Sequence, residues 1–225
     1  MEVIQINKVE QEGKILEAYK SLRTNIQFCG SEVQVIALTS SRPDEGKSTT
    51  AFNLAESLAE VGKRVIYVDT DLRRSVFTGR FKINSKIWGQ SHYLSGQCKL
   101  DEVVYATNVK NLFVTISGPE PPNPAELLSG LRFKGEIESF REIFDYVIID
   151  TPPLGSVIDC AVIAPCCDGI VLVIESGGVN LKFVKSVKQQ IERTKCPLLG
   201  VVLNKVNMSS RSGYYGAYNS YYGNT

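Results

Sequence analysis

The chain has 225 residues, a length that suits a single α/β domain with a sizeable core. With 25 basic and 24 acidic residues its formal net charge is +1, which gives no electrostatic reason to expect nucleic acid or an acidic membrane as a partner. The six cysteines (Cys29, Cys98, Cys160, Cys166, Cys167, Cys196) make no Cys-x-x-Cys pair and have no histidine at metal-ligand spacing, so they read as reduced thiols and exclude a zinc site or a disulfide framework.

The first dozen residues are polar and read as loose; they lack the basic-then-apolar layout of a secretion signal, and Asp168 interrupts the longest apolar region. A cytoplasmic protein is expected, with any membrane address supplied by a partner. Residues 13–28 repeat apolar side chains at Leu16, Tyr19, Leu22 and Ile26, which predicts one amphipathic helix with Glu17, Lys20 and Arg23 on its outward face.

A buried strand over 34–39 then runs into the loop Ser40, Ser41, Arg42, Pro43, Asp44, Glu45, Gly46, Lys47, Ser48, Thr49, and a helix follows over 50–61, stopped by Gly62. Strand, loop and helix in that order make an anion site from the backbone N–H groups of the loop and helix start. The pattern is G-x-x-x-x-G-K-[ST] with Ser41 in place of the first glycine; Lys47 supplies a point charge for the β- and γ-phosphates of a nucleotide, and Ser48 a hydroxyl for Mg²⁺.

A second apolar strand over 64–69 ends in Asp69, followed by Asp71 and Arg73. Two carboxylates one residue apart at a strand's end are costly if buried without partners, but make sense beside Mg²⁺ and a phosphate. Residues 75–110 are less patterned, with a short helix expected near 99–105 and no role assigned to His92. A strand over 112–117, a proline-rich turn over 118–124 and helices over 125–128 and 132–144 lead to the strand 145–150, which closes on Asp150 as a Walker B strand does. A helix over 157–164, a strand over 169–174, a helix over 181–193 and a strand over 198–203 complete the alternation. It predicts an α/β fold with a doubly wound, mostly parallel sheet. Residues 207–225 change to Ser, Gly and Asn spacers around Tyr214, Tyr215, Tyr218, Tyr221 and Tyr222, a composition with no core to bury that predicts a disordered tail after one domain over 1–206.

Taken together, the loop, Asp69-x-Asp71-x-Arg73, Val147-Ile-Ile-Asp150-Thr-Pro-Pro153, the turn from Gly118 to Leu128 and the tyrosine tail resemble the bacterial tyrosine kinases of capsule and exopolysaccharide assembly over nearly the whole chain. The resemblance implies a P-loop fold of the deviant Walker type. It assigns Lys47 and Ser48 to Walker A, Asp69, Asp71 and Arg73 to an extra acidic Walker A′ motif, and Asp150 to Walker B. It further implies ATP and Mg²⁺, with Ser48, Asp71 and Asp150 around the metal, and autophosphorylation of the tail. Glu17, Lys20 and Arg23 look like the family's E-x-x-R-x-x-R oligomerisation motif, with Lys20 in place of the middle arginine. Also implied are a ring-like homo-oligomer when unphosphorylated, a membrane adaptor of the chain-length-determinant type that recruits the chain to the inner face of the plasma membrane, and a protein-tyrosine phosphatase. Asp44 stands where the family has glycine, a negative charge inside an anion-binding loop.

In the kinase reading Asp69 or Asp71 orients or deprotonates the incoming phenol while Arg73 steadies nearby charge. The alternatives are a partitioning or cell-division ATPase on the same fold, which carries lysine where this chain has Arg42, and a catalytically impaired scaffold whose tyrosines serve another kinase.

Overall fold

The computed structural model describes residues 3–6, 13–76 and 87–207, and the five tail tyrosines lie outside the described residues. Eight strands, β1 (Val3–Ile4), β2 (Val35–Ser40), β3 (Val65–Asp69), β4 (Tyr105–Thr107), β5 (Leu112–Thr115), β6 (Tyr146–Asp150), β7 (Gly169–Glu175) and β8 (Leu198–Asn204), form one sheet in the order β1-β4-β5-β3-β6-β2-β7-β8. Every described pairing is parallel except β4 with β5. Successive strand residues point to opposite faces. Val35, Ala37, Ile66, Val68, Val147, Ile149, Ile170 and Leu172 therefore enter one buried cluster, and Ile36, Leu38, Val65, Tyr67, Ile148, Val171 and Val173 the other. With both faces covered, the central strands are unbroken apolar runs, as parallel strands between helical layers must be.

Helices α1 (Gly13–Gln27) and α2 (Lys47–Glu60) cover one face; α3 (Gln90–Leu94), α4 (Pro124–Ser129), α5 (Leu131–Ile143), α6 (Asp159–Ile163) and α7 (Leu181–Arg193) are the others among the described residues. On α2 the helical spacing of Ala51, Leu54, Ala55 and Leu58 aims one stripe into the second cluster. On α5, Phe133, Ile137 and Phe140 do the same for the first. The amphipathicity expected of α1 is only partly used, since Ile26 is its one fully buried residue and Leu16 is exposed. Arg23 does not face outward. Its Nη1 donates to the Ser57 carbonyl at 2.8 Å and to Ser57 Oγ at 3.0 Å, docking α1 onto α2, because a long guanidinium can reach sideways from its own helix face. Glu17 stays exposed and pairs with the half-buried Lys20 at 2.7 Å.

Three local expectations are corrected. The start of the chain is not uniformly loose, since Val3–Ile4 pairs with β4, and Asn108 exchanges side-chain bonds with the Ile6 N–H (2.8 Å) and carbonyl (3.1 Å) as a strand backbone would. The short helix near 99–105 shrinks to one 3-10 turn over Leu100–Glu102, and Tyr105 begins a strand instead. The helix over 157–164 forms later and shorter, at Asp159–Ile163, running into a 3-10 turn over Ala164–Cys166. His92 accepts from the Gly89 N–H and lies edge-on to Trp88, a local role only. All six cysteines are free. Among the described residues no helix is long and apolar enough to cross a membrane.

Between α3, α5 and β5, Gln90 Nε2 donates to Glu136 and, at 2.9 Å, to Thr115 Oγ1. Glu136 is fully buried, its Oε2 has no hydrogen-bond partner, and burial pushes the acid up to about 8 despite the Gln90 bond. A carboxyl raised above its ordinary 4.5 contributes fully below that pH and loses its contribution as pH rises through 8. In paired urea titrations, Glu136→Gln is expected to match wild type near pH 5 and to exceed it at pH 8 by on the order of 3 kcal/mol. Parallel pH profiles for the two proteins would contradict a neutral Glu136.

Candidate active site

The C-terminal ends of β2, β3, β6, β7 and β8 lie along one edge of the parallel sheet, the edge where open α/β sheets bind their ligands. The phosphate loop joins β2 to α2 there. It turns at Asp44 (φ 64°) and Gly46 (φ 88°), and Lys47 opens the helix. The segment after β6 packs beneath it: Thr39 Oγ1 donates to the Pro152 carbonyl at 3.0 Å, Leu154 N–H donates to the Ser40 carbonyl at 3.0 Å, and a Cβ on Gly155 would lie 2.0 Å from the Ser41 carbonyl oxygen. Only glycine fits that approach.

Ser41, the departure from the usual glycine, is buried and turned inward, with Oγ donating to Glu45 Oε2 at 2.8 Å. The Arg42 N–H donates to the same oxygen at 2.8 Å, and the Arg42 guanidinium is spent on the Gly178 carbonyl. Pro43 and Asp44 are exposed. Asp44 thus leans toward solvent, and its positive φ is a conformation glycine adopts more readily. Asp44→Gly is expected to tighten binding of Mg-ADP by about twofold, the low end for a screened charge near a helix start. Calorimetry giving equal or weaker binding would contradict this.

Strand register brings Asp69 and Asp150 side by side as partners across β3 and β6. Lys47 Nζ points into this acid group, 3.2 Å from Asp71 Oδ2, 3.4 Å from Asp150 Oδ1 and 3.1 Å from Ser48 Oγ. Burial alone would lower the Lys47 ammonium, but Asp150, Asp71 and Asp69 outweigh it and hold the group above its ordinary value. Asp150 is pushed up by burial against the pull of Lys47, of a Ser48 bond and of the Tyr67 hydroxyl, which donates to its Oδ2 at 3.0 Å. Asp69, fully buried, is pushed up to about 7 by burial and by Asp150. Opposing this, its Oδ2 accepts from the Ser75 hydroxyl and the Lys47 charge lies nearby; its Oδ1 accepts from the Asp71 N–H at 3.2 Å.

Arg73 is held by Asp159. Its Nε and Nη2 donate to Asp159 at 2.8 and 3.0 Å, a bidentate pair with a fully buried carboxylate at the start of α6. The structure therefore gathers Ser41, Gly46, Lys47, Ser48, Asp69, Asp71 and Asp150, while Arg73 forms a salt bridge of its own with Asp159. Residues that sequence reasoning missed here are Tyr67, Ser75, Gly155, Asp159 and Asn204, whose Nδ2 donates to the Glu45 carbonyl at 2.9 Å.

A model of the AAA domain family matches residues 33–198. Over 215 residues the chain is 46% identical to tyrosine-protein kinase CpsD of Streptococcus agalactiae, covering 96% of this chain and 93% of that protein. The chain belongs to the bacterial tyrosine-protein kinases. The kinase fold is also that of the crystallised chimerical protein CapA2B2, with a TM-score of 0.83 and 34% identity over 92% of this chain and 94% of the other. The septum-site-determining protein MinD of Pyrococcus horikoshii, solved with Mg-ADP, shares the fold alone, with 21% identity and a TM-score of 0.68 over 83% of this kinase and 76% of that chain. The deviant Walker P-loop architecture expected from the sequence is the one present, and a tyrosine kinase is favoured over the partitioning ATPase. A P-loop kinase of this fold binds a nucleotide with a divalent cation.

Proposed function

We propose that this tyrosine kinase transfers the γ-phosphoryl group of ATP to Tyr214, Tyr215, Tyr218, Tyr221 and Tyr222 of a neighbouring copy, and thereby regulates capsule or exopolysaccharide synthesis and export. One observation carries the reading: the last strand, β8, ends against the phosphate loop through Asn204, on the same edge as Lys47 and the three aspartates, and Tyr214 follows ten residues later. The last described strand thus ends at the edge where the phosphate site lies, ten residues before the first of those tyrosines.

In this mechanism the loop N–H groups and Lys47 hold the phosphates, with Lys47 moving from Asp71 and Asp150 to the charge that develops on the transferred group. Ser48, Asp71 and Asp150 offer hard oxygen donors that fit Mg²⁺, which when bound neutralises charge on the β- and γ-phosphates. Asp69 accepts the phenol proton. Its acidity near 7 suits a general base, and the bond that its Oδ2 accepts from the Ser75 hydroxyl is of the kind it would accept from a tyrosine hydroxyl. Asp71 orients the phenol and would help to hold the metal. Arg73, bound to Asp159, fixes the segment that carries both acids rather than touching phosphate.

The kinase domain with its N-terminal helix is assigned to residues 1–206, and residues 207–225 are its substrate segment. Unphosphorylated copies assemble into a ring through α1, where exposed Glu17 and half-buried Lys20 lie beside uncovered Ile15 and Leu16. A fully phosphorylated tail carries roughly −8 to −10 charges and drives the copies apart. A membrane adaptor of the chain-length-determinant type recruits the kinase from the cytoplasm to the inner face of the plasma membrane, and a protein-tyrosine phosphatase resets it. To test transfer between copies, an inactive Lys47→Met chain with an intact tail is mixed with an active chain cut after residue 207. Phosphotyrosine on the Lys47→Met tail is the expected result; an unlabelled tail would overturn transfer in trans.

A further inference from the structure

The phosphate loop is held from the side by Glu45, at one of its motif's variable positions, and by residues outside the motif. Glu45 is almost fully buried, and its carboxylate makes three bonds: Oε2 accepts from Ser41 Oγ and the Arg42 N–H, both at 2.8 Å, and Oε1 accepts from the Glu175 N–H at 3.2 Å. Two loop donors are thereby turned away from the phosphate side and tied to the end of β7. Asn204 is the cross-strand partner of Glu175. Its Nδ2 donates to the Glu45 carbonyl at 2.9 Å and also sits 2.1 Å from where a Cβ on Gly46 would lie. Gly46 therefore leaves room for this amide as well as supplying its positive φ of 88°. Just past β8, Lys205 Nζ reaches Glu175 Oε1 at 3.3 Å, and the Ser176 N–H donates to the Asn204 carbonyl at 2.9 Å. The end of β8, the root of the tyrosine tail, is thus bonded to both the loop and β7.

We propose that Asn204 and Glu45 are positioning residues for the bound phosphates: together they hold the loop in its anion-binding shape, so that the last strand, and not a glycine at position 41, fixes the loop's open side. The inference rests on the reading of this loop as the nucleotide site and deepens it. It explains why Ser41 is tolerated where the motif has glycine: the hydroxyl is absorbed by Glu45 instead of crowding the phosphates. It also gives the segment that carries the tyrosines a direct hold on the phosphate site.

The test compares two probes, Mg-ADP and Mg-pyrophosphate, by calorimetry on the full chain, using Asn204→Ala and Glu45→Gln. An amide in place of the Glu45 carboxylate cannot accept at both former oxygens, so one loop bond is lost with little change in volume. Each variant is expected to weaken both probes by the same factor, about tenfold, with the urea midpoint near that of wild type. Loss of Mg-ADP binding with pyrophosphate binding intact would overturn the proposal by placing Asn204 against the nucleoside. Wild-type affinities in both variants would also overturn it, and if Asn204→Ala fails to fold, Glu45→Gln alone decides. If the wild-type chain binds neither probe, the nucleotide-site reading itself fails and the proposal falls with it; if wild type binds and the variants do not weaken, only the proposal fails.

Discussion

Lys47→Met is expected to abolish autophosphorylation, lowering the rate by about 10²–10³-fold or more, the cost of deleting one fixed cationic group from a developing phosphoryl charge. Volume is kept, but the fold is not left untouched. Lys47 pairs with Asp71 and Asp150 at 3.2 and 3.4 Å, and both carboxylates are buried. Removing one partner of a buried ion group leaves uncompensated charge and costs about 3–5 kcal/mol when nothing relaxes. The carboxylates can relax by taking up protons, because burial already raises Asp69 and Asp150 and the loss of Lys47 removes a force that lowers both. The variant should therefore be less stable than wild type at pH 8 and recover much of the difference by pH 6. Phosphotyrosine assays and urea melts at the two pH values check both halves. Full phosphotyrosine signal in the variant would sink the catalytic role, and a pH-independent stability gap would sink the electrostatic one.

Asp69→Asn should lower the turnover number by about 10²-fold or more, the usual worth of a positioned general base. The pH profile separates this from a loss of fold. Asp69 is raised from its ordinary 3.8 to about 7, first by burial and then by Asp150. A base must be ionised, so the wild-type rate should climb as pH rises through about 7 and level off above it. The asparagine variant should lose that rising limb while keeping residual activity. The same shift predicts that ionising Asp69 costs stability: its contribution is complete below the unfolded pKa of 3.8 and is lost as pH rises through about 7. A wild-type rate that is flat from pH 6 to 8, or an asparagine variant that keeps the rising limb, would remove Asp69 from the base role and leave Asp71.

Much of this fold was legible because parallel strands buried on both faces must be written as short β-branched apolar runs. The strands at Val35–Ser40, Val65–Asp69, Tyr146–Asp150 and Gly169–Glu175 each start or end within a residue of their predicted bounds. What escaped was too short to have a period: β1 has two residues and β4 three, and the β4–β5 pair is the antiparallel exception. The chemistry was legible where it is contiguous, in the loop, in Asp69 and Asp71, and at the end of β6. It was not legible where partners meet across the sheet. Asn204 lies 159 residues from Glu45, Asp159 86 from Arg73, and Asp150 83 from Tyr67, and no local pattern announces such pairs. Arg23 and Arg73 show the same limit from the other side. Their spacing put one on an open helix face and the other beside the phosphates, yet each guanidinium is engaged within the chain, on Ser57 and on Asp159. A motif gives the address of a long cation, but only the fold shows what it holds.

The central claim is that this chain moves phosphate from ATP to tyrosine instead of only hydrolysing the nucleotide. Purified full-length protein incubated with Mg-ATP, digested and mapped by mass spectrometry should carry phosphate on one or more of Tyr214, Tyr215, Tyr218, Tyr221 and Tyr222, and the Lys47→Met protein incubated alone should carry none. Release of ADP and inorganic phosphate with every one of those tyrosines unmodified would contradict the account.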